Sequence, residues 1–289
     1  MRARGGRKLA IATLIAAGRL DDSLLAAAAE RLGSDMQWRD GVNAARFDVS
    51  NVRAARQAVE GWDGIDILVT PDGFEMPRLF IADMDSTMIG QECIDELGDM
   101  AGVGKQVAAI TERAMQGELD FAGSLRERLA LLEGLPVDTI SRLLNERIVP
   151  NPGAERLVRT LKSRGVRCVL VSGGFTAFAD VVGGWLGFDR VVANKLGVDA
   201  DRLTGKVDGD IVDRATKASV LREEMAALGE GASLAIGDGA NDLDMLGAAD
   251  LGIAYRAKPA VAAAADARLD YHPLDAVLWS LGIAKADWN

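Results

Sequence analysis

The chain has 289 residues, 49% of them hydrophobic, and a formal net charge of −10. That length exceeds what one compact core usually needs, so two domains, or one domain with a sizeable insertion, are expected and wholesale disorder is not. The negative charge argues against nucleic acid or an anionic membrane surface as the main partner, and no apolar run approaches the roughly 18 residues that a membrane span needs.

The opening MRARGGRKLAIATLIAAG sets a basic stretch before an apolar one, as a signal peptide does. The apolar part also fits a β-strand that the next elements require. Residues 8–70 read as strand (KLAIATLI), helix (DDSLLAAAAERL), two strands (DMQWRD, ARFDVS), helix (VRAARQAVEGW) and strand (IDILVT). This βαββαβ order predicts a small ferredoxin-like α+β domain over residues 1–75. PDGFEMP, with two prolines and a glycine, reads as a linker.

Residues 76–289 alternate strands with helices, which predicts an α/β doubly wound parallel sheet. The strands are RLFIADMD, VRCVLVSGG, RVVAN, SLAIGD and LGIAY, and a last one precedes His272 in DARLDYHPLD. Residues 90–150 have helical periodicity and no strand, so they read as a helical cap inserted over the carboxyl edge of the sheet. NKLGVDADRLTGKVDGDIV reads as a second insertion, a β-hairpin flap. His272, the lone histidine, is expected to be solvent-exposed or capping. Two cysteines in so long a chain, Cys93 and Cys168, suggest no disulfide framework and a reducing, cytoplasmic setting.

Four short motifs carry chemistry. The first strand ends in Asp83-Met84-Asp85-Ser86-Thr87. Two carboxylates at a strand's carboxyl end repel each other and lose water, a cost that a divalent cation relieves, although the same pattern also suits a turn with a helix cap. Ser172-Gly173-Gly174 offers a hydroxyl and close backbone approach just before a helix, which suits phosphate or a plain loop. Lys217 opens the helix RATKASVLREEMAAL, whose positions Ala218, Leu221, Met225 and Leu228 are expected to face the core; the lysine itself is either solvated or turned to the site. Gly237-Asp238-Gly239-Ala240-Asn241-Asp242 ends another strand, so Asp238 is able to complete an oxygen-rich Mg²⁺ site with Asp83 while Asp242 orients it or binds through water.

In that order and at those strand ends, DMDST, SGG, the lysine and GDGAND resemble the haloacid dehalogenase superfamily over residues 79 to about 270. The stretches DMDSTMIGQECIDEL and ITERAMQGELDFAGSLRERLALLEGLP are most similar to the members that hydrolyse O-phospho-L-serine at the end of serine biosynthesis. The resemblance implies that Asp83 is the nucleophile and a metal ligand. Asp85 is then the general acid/base and a metal ligand through its backbone carbonyl, and Asp238 the second metal carboxylate. Ser172, Gly173 and Lys217 would hold the phosphate, while Gly239, Asn241 and Asp242 support metal and substrate. In the cap, Glu92 would face the substrate ammonium, Arg128 its carboxylate, and Met115 and Phe121 would form apolar walls. The same site could serve another small phosphate ester such as phosphohomoserine, or pass the phosphoryl group to an alcohol. A non-catalytic amino-acid-responsive regulator is the alternative of another class. Residues 1–75 carry no residue motif, so ligand sensing, assembly of a homodimer and an inert role all stay open for them.

Overall fold

The computed structural model describes residues 10–59 and 61–289; the basic start MRARGGRKL, with the first two residues of the expected opening strand, lies outside the described residues. From Ala10 onward the first unit forms as β1 (Ala10–Ile15), α1 (Asp22–Leu32), β2 (Met36–Asp40), β3 (Ala44–Val49), α2 (Val52–Val59) and β4 (Asp66–Thr70). Helix α1 begins where the Asp21 carboxylate accepts the Leu24 N–H and ends at Gly33, whose φ of 63° suits glycine. The strands form an antiparallel sheet in the order β2-β3-β1-β4, the ferredoxin-like arrangement. Side chains alternate between its faces: Leu14, Phe47 and Val69 pack under α1 and α2, whereas Ile15, Ala44 and Leu68 face the second unit.

The second unit starts with β5 (Leu79–Ala82) and then the cap helices α3 (Cys93–Met100), α4 (Gly104–Met115), α5 (Phe121–Ala130) and α6 (Asp138–Glu146). It continues through α7 (Ala154–Ser163), β6 (Arg167–Phe175), α8 (Thr176–Leu186), β7 (Arg190–Asn194) and the hairpin β8 (Leu196–Asp199) and β9 (Arg202–Val207). The remaining elements are α9 (Arg214–Leu228), β10 (Ser233–Gly237), α10 (Leu243–Ala248), β11 (Leu251–Tyr255), α11 (Pro259–Ala264), β12 (Ala267–Leu269) and α12 (Val277–Ser280).

Six of these strands form a parallel sheet in the order β12-β11-β10-β5-β6-β7. Both faces are covered, with Phe80, Leu170 and Ile236 in one core and Ile81, Val169 and Ala235 in the other, which is why these strands read as continuous apolar runs. The chain passes from β5 to β6 and β7 on one side, then returns to β10 on the other. This reversal opens a crevice at the carboxyl ends of β5 and β10, where Asp83 and Asp238 emerge.

The cap joins the sheet through a pinned neck. Ile89 pairs with Pro150, and the Asn151 side chain donates to the carbonyls of Thr87 (2.8 Å) and Ile89 (3.1 Å). The hairpin flap is stitched to the cap: Gly134 N–H donates to Leu203 O at 2.8 Å and Leu203 N–H to Leu135 O at 2.9 Å.

One expectation needs correction. His272 is buried, with Nδ1 2.7 Å from the Asp66 carboxylate, which also accepts the backbone N–H groups of Asp270, Tyr271 and His272. One acid at the edge of β4 thus gathers the turn after β12 and the only histidine. PDGFEMP connects β4 to β5 without regular structure, and its Phe74 and Met76 pack against the core shared by the two units. Among the described residues, no helix is long and apolar enough to cross a membrane.

Candidate active site

The backbone N–H of Asp83 continues the ladder to Ile236 O at 3.0 Å, and its carboxylate turns into the crevice. One carboxylate oxygen accepts the Met84 N–H at 2.7 Å; the other lies 2.7 Å from Lys217 Nζ. Lys217 has no solvent exposure and also meets Asp242 at 2.7 Å, so the solvated alternative for this lysine is set aside. Asp213 caps the start of α9 through the Thr216 N–H, and Ala218 and Leu221 are buried with Lys217 along the helix, which carries the lysine inward. Burial opposes the ammonium charge, but Asp242 and Asp83 outweigh it and keep the lysine protonated.

Asp238, just past β10, accepts the Thr87 hydroxyl at 2.6 Å. The Asp242 carboxylate receives the N–H groups of Asp238 (3.2 Å) and Gly239 (3.0 Å), folding the GDGAND turn around itself. Oxygens of Asp83, Asp238 and Asp242 all lie within 4.8 Å of one another. An all-oxygen set of this kind fits a hard divalent cation. Burial, then Asp242, pushes the Asp83 carboxyl well above its usual range, and burial pushes Asp238 up to about 6, costs that bound positive charge would offset. Asp242 therefore stands among the candidate ligands, beyond the supporting place expected for it. The side chain of Asp85 is not in this group.

Asp85 turns instead toward the base of the cap. Its carboxylate accepts the Cys93 N–H at 3.0 Å and the Ser172 hydroxyl at 3.4 Å, and burial raises its proton affinity while the contact with Cys93 opposes that. At the end of β6, Gly174 N–H donates to Ser172 Oγ at 2.8 Å. Gly173 lies against the cap: a Cβ there would stand 2.8 Å from the Phe121 ring, so only glycine allows this approach. Asn194 was not singled out in the sequence, yet it holds this corner by donating to Gly173 O and accepting from Val212 N, both at 2.7 Å. Its one legible signal was a polar residue closing an apolar strand.

The cleft between sheet and cap encloses about 830 Å³, with Asp83, Asp85, Ser172 and Asp238 on the sheet side and Glu92 and Arg128 on the cap side. Gly173, Gly239, Asn241, Met115 and Phe121 also line it. Glu92 opens to the cleft and accepts the Ser86 hydroxyl at 2.6 Å, from a residue held at a left-handed φ of 55°. Burial, followed by the nearby Asp85, pushes the Glu92 carboxyl up to about 7. Arg128 is half-buried; its Nε donates to Ser124 O at a long 3.4 Å, and Asp95, a cleft residue that the motif reading missed, supports its charge against burial. Met115 is 60% exposed and touches Lys258 across the mouth, so it forms a lip of the cleft more than an enclosed wall.

Residues 80–247 match the family model of haloacid dehalogenase-like hydrolases. The chain belongs to this family. A probable phosphoserine phosphatase of Schizosaccharomyces pombe is 48% identical over 210 residues, 71% of this chain and 70% of that protein. A phosphoserine phosphatase of Streptomyces coelicolor is 45% identical over 85% of this chain, which spans only 62% of that relative's length. Among solved structures, a probable phosphoserine phosphatase from Vibrio cholerae, unliganded, superposes with a TM-score of 0.78 at 32% identity, covering 97% of this chain and 88% of the other. As a haloacid dehalogenase-like hydrolase, the protein presents the Asp83 carboxylate at the sheet edge, the Asp85 carboxylate at the hydroxyl of Ser172, the buried ammonium of Lys217 and a cap across the crevice.

Proposed function

We propose that this protein hydrolyses O-phospho-L-serine to L-serine and inorganic phosphate, the last step of serine biosynthesis, through an aspartyl-phosphate on Asp83. The observation that carries the reading is the pairing of two chemistries in one cleft: Asp83 with Lys217 and Asp238 on the sheet, and an acid and a base, Glu92 and Arg128, opposite them on the cap. Sugar phosphates have neither an ammonium for Glu92 nor a carboxylate for Arg128.

A carboxylate oxygen of Asp83 attacks phosphorus in line, forming the acyl-phosphate bond as the bond from phosphorus to the serine oxygen breaks. Asp85, protonated, gives its proton to that leaving oxygen; its raised proton affinity supports the role. Asp85 then takes a proton from the water that attacks phosphorus, and the bond to Asp83 breaks to release phosphate. Lys217, Ser172 and the backbone at Gly173 receive the phosphoryl oxygens, while Asn241 and the Gly239 turn steady the opposite wall. Mg²⁺ is the cation that best suits the three carboxylates Asp83, Asp238 and Asp242, and when bound it would neutralise charge on the phosphoryl group. The backbone carbonyl of Asp85 is a further candidate ligand. Residues 1–75 and 76–289 are taken as the two domains, and the buried, unpaired Cys93 and Cys168 support a cytoplasmic setting.

A phosphate-release panel of O-phospho-L-serine, phosphothreonine, phosphohomoserine and sugar phosphates with Mg²⁺ tests the reading. Phosphoserine is expected to have the highest kcat/KM; a higher value for phosphohomoserine or a sugar phosphate would reassign the substrate, and no release from any would refute the activity.

A further inference from the structure

Strand β6 loses its register with β7 where the site begins. Val171 pairs with Val192 and Phe175 with Asn194, so Ser172, Gly173 and Gly174 of β6 stand opposite the single Ala193 of β7. A bulge of this kind lifts backbone groups out of the ladder, and they must find other partners. The Gly173 carbonyl finds the side chain of Asn194, whose Nδ2 donates to it at 2.7 Å. Asn194 Oδ1 accepts the Val212 N–H, also at 2.7 Å, and this bond closes the base of the excursion that carries β8 and β9. A carbonyl at one pole and an N–H at the other permit only one orientation of the amide. Asn194 is 1% exposed, so bulk water competes for neither pole.

The Gly173 carbonyl shares a planar peptide with the Gly174 N–H, and the two point in opposite directions. With the carbonyl held by Asn194, the N–H is aimed at Ser172 Oγ, to which it donates at 2.8 Å. That bond occupies a lone pair of the hydroxyl and leaves its single O–H for Asp85 Oδ2, at a long 3.4 Å. The other oxygen of Asp85 accepts the Cys93 N–H at 3.0 Å, so the carboxyl is pinned once from the cap and once from β6. Gly174 makes the second pin possible, because a Cβ there would collide with Asp85 Oδ2. An unbroken series of donors and acceptors thus runs from Val212 through Asn194, the peptide between Gly173 and Gly174, and Ser172 to Asp85.

We propose that Asn194 is a positioning residue for the reaction: by holding the peptide between Gly173 and Gly174 it fixes the direction of the Ser172 hydroxyl and, through it, the carboxyl of Asp85. Asn194 does not line the cleft, so it acts only through these neighbours. This role rests on Asp85 being the proton donor of the proposed reaction, whichever alkyl phosphate is its substrate. An alkoxide leaving group needs that proton, whereas p-nitrophenolate departs without it, so misplacing the acid costs an alkyl ester more than an aryl one. A merely structural loss lowers the amount of folded enzyme and moves both esters together, leaving the ratio of their kcat/KM values unchanged.

The experiment compares kcat/KM, with Mg²⁺, for p-nitrophenyl phosphate and for the alkyl phosphate that is turned over best. It uses the full-length wild type, Asn194→Ala, Ser172→Ala, the double variant and Asp85→Asn. Asn194→Ala is expected to lower kcat/KM about 100-fold on the alkyl ester and no more than about tenfold on the aryl ester, the scale of a catalytic group displaced by about 1 Å. Asn194→Ser, whose hydroxyl is too short to reach the Gly173 carbonyl, is expected to shift the ratio in the same direction and replaces the alanine variant if that one does not fold. Once Ser172 is replaced by alanine, removing the Asn194 amide as well is expected to cost less than about threefold more on the alkyl ester, because both act in one series. A ratio unchanged in the Asn194 variants, or losses that multiply in the double variant, would overturn the positioning role, and a split between the esters in Asp85→Asn would show that the acid itself still stands. Equal losses on the two esters in Asp85→Asn would refute the acid and the positioning with it.

Discussion

Replacing Arg128 separates recognition of the amino-acid end of the substrate from the chemistry at phosphorus. The guanidinium stands on α5, and its Nε is spent on a long bond to Ser124 O in its own helix; among the described residues the other N–H groups have no hydrogen-bond partner and face the cleft. A substrate carboxylate is able to take two of them in parallel. Each charged hydrogen bond of this kind contributes about 1.5–3 kcal/mol, and partial exposure of the guanidinium screens the pair to a total of about 2–4 kcal/mol. Arg128→Ala is therefore expected to lower kcat/KM for O-phospho-L-serine by about 30-fold to 1000-fold. Arg128→Lys should be nearly as harmful, because an ammonium keeps the attraction of Asp95 but lacks the planar fork. Glu92→Gln is expected to show the same selectivity through the ammonium. With p-nitrophenyl phosphate, which has neither group, all three variants should stay within about threefold of the wild type. The assay is phosphate release on the two substrates side by side. Parallel losses on both substrates, or no loss on phosphoserine, would refute the assignment of this pair to the amino-acid end.

Asp83→Asn keeps the shape of the side chain and removes the nucleophile, so turnover should fall by about four orders of magnitude or more with the fold intact by circular dichroism; activity within tenfold of the wild type would exclude the covalent route. Asp85→Asn should impair phosphoserine more than p-nitrophenyl phosphate, whose leaving group needs no proton, and equal losses in the first step would count against Asp85 as the acid. Chelation should abolish activity and Mg²⁺ restore it, while Ca²⁺ binds with looser coordination and supports little turnover; full activity in excess chelator would remove Asp83, Asp238 and Asp242 from the ligand set. Asp66→Ala leaves three N–H groups and the His272 ring without their acceptor, so urea unfolding should show a loss of about 2–4 kcal/mol, with kcat of the folded protein unchanged; stability equal to the wild type would mean that the Asp66 cluster does not hold the units together. The fragment 76–289 contains every assigned residue of the cleft and should retain phosphatase activity, but with a lower Tm than the full chain because Ile15, Ala44 and Leu68 no longer cover its core; an unchanged Tm would contradict a shared core.

Much of this protein is written locally. Continuous apolar strands ending in Asp83, Ser172 and Asp238, separated by helical stretches, determine a parallel sheet with carboxylates at one edge, because strand position and burial follow from patterns a few residues long. The βαββαβ order, the helical cap and the hairpin flap were legible for the same reason. Other features depend on residues far apart in the chain. Lys217 looked like either a surface or a site lysine until α9 turned it between Asp83 and Asp242. Asn194 and Asp95 acquire their places only once the β6 corner and the cap close on the cleft. His272 lies 206 residues from Asp66, and nothing in DARLDYHPLD announces a buried partner in another sheet. The sequence by itself determined the fold class and the carboxylates at the strand ends, since alternation and strand-end motifs encode those in neighbouring residues. Only the tertiary structure decided which charges are buried together and how the two units share a core, because those contacts join segments whose separation in the chain carries no periodic signal.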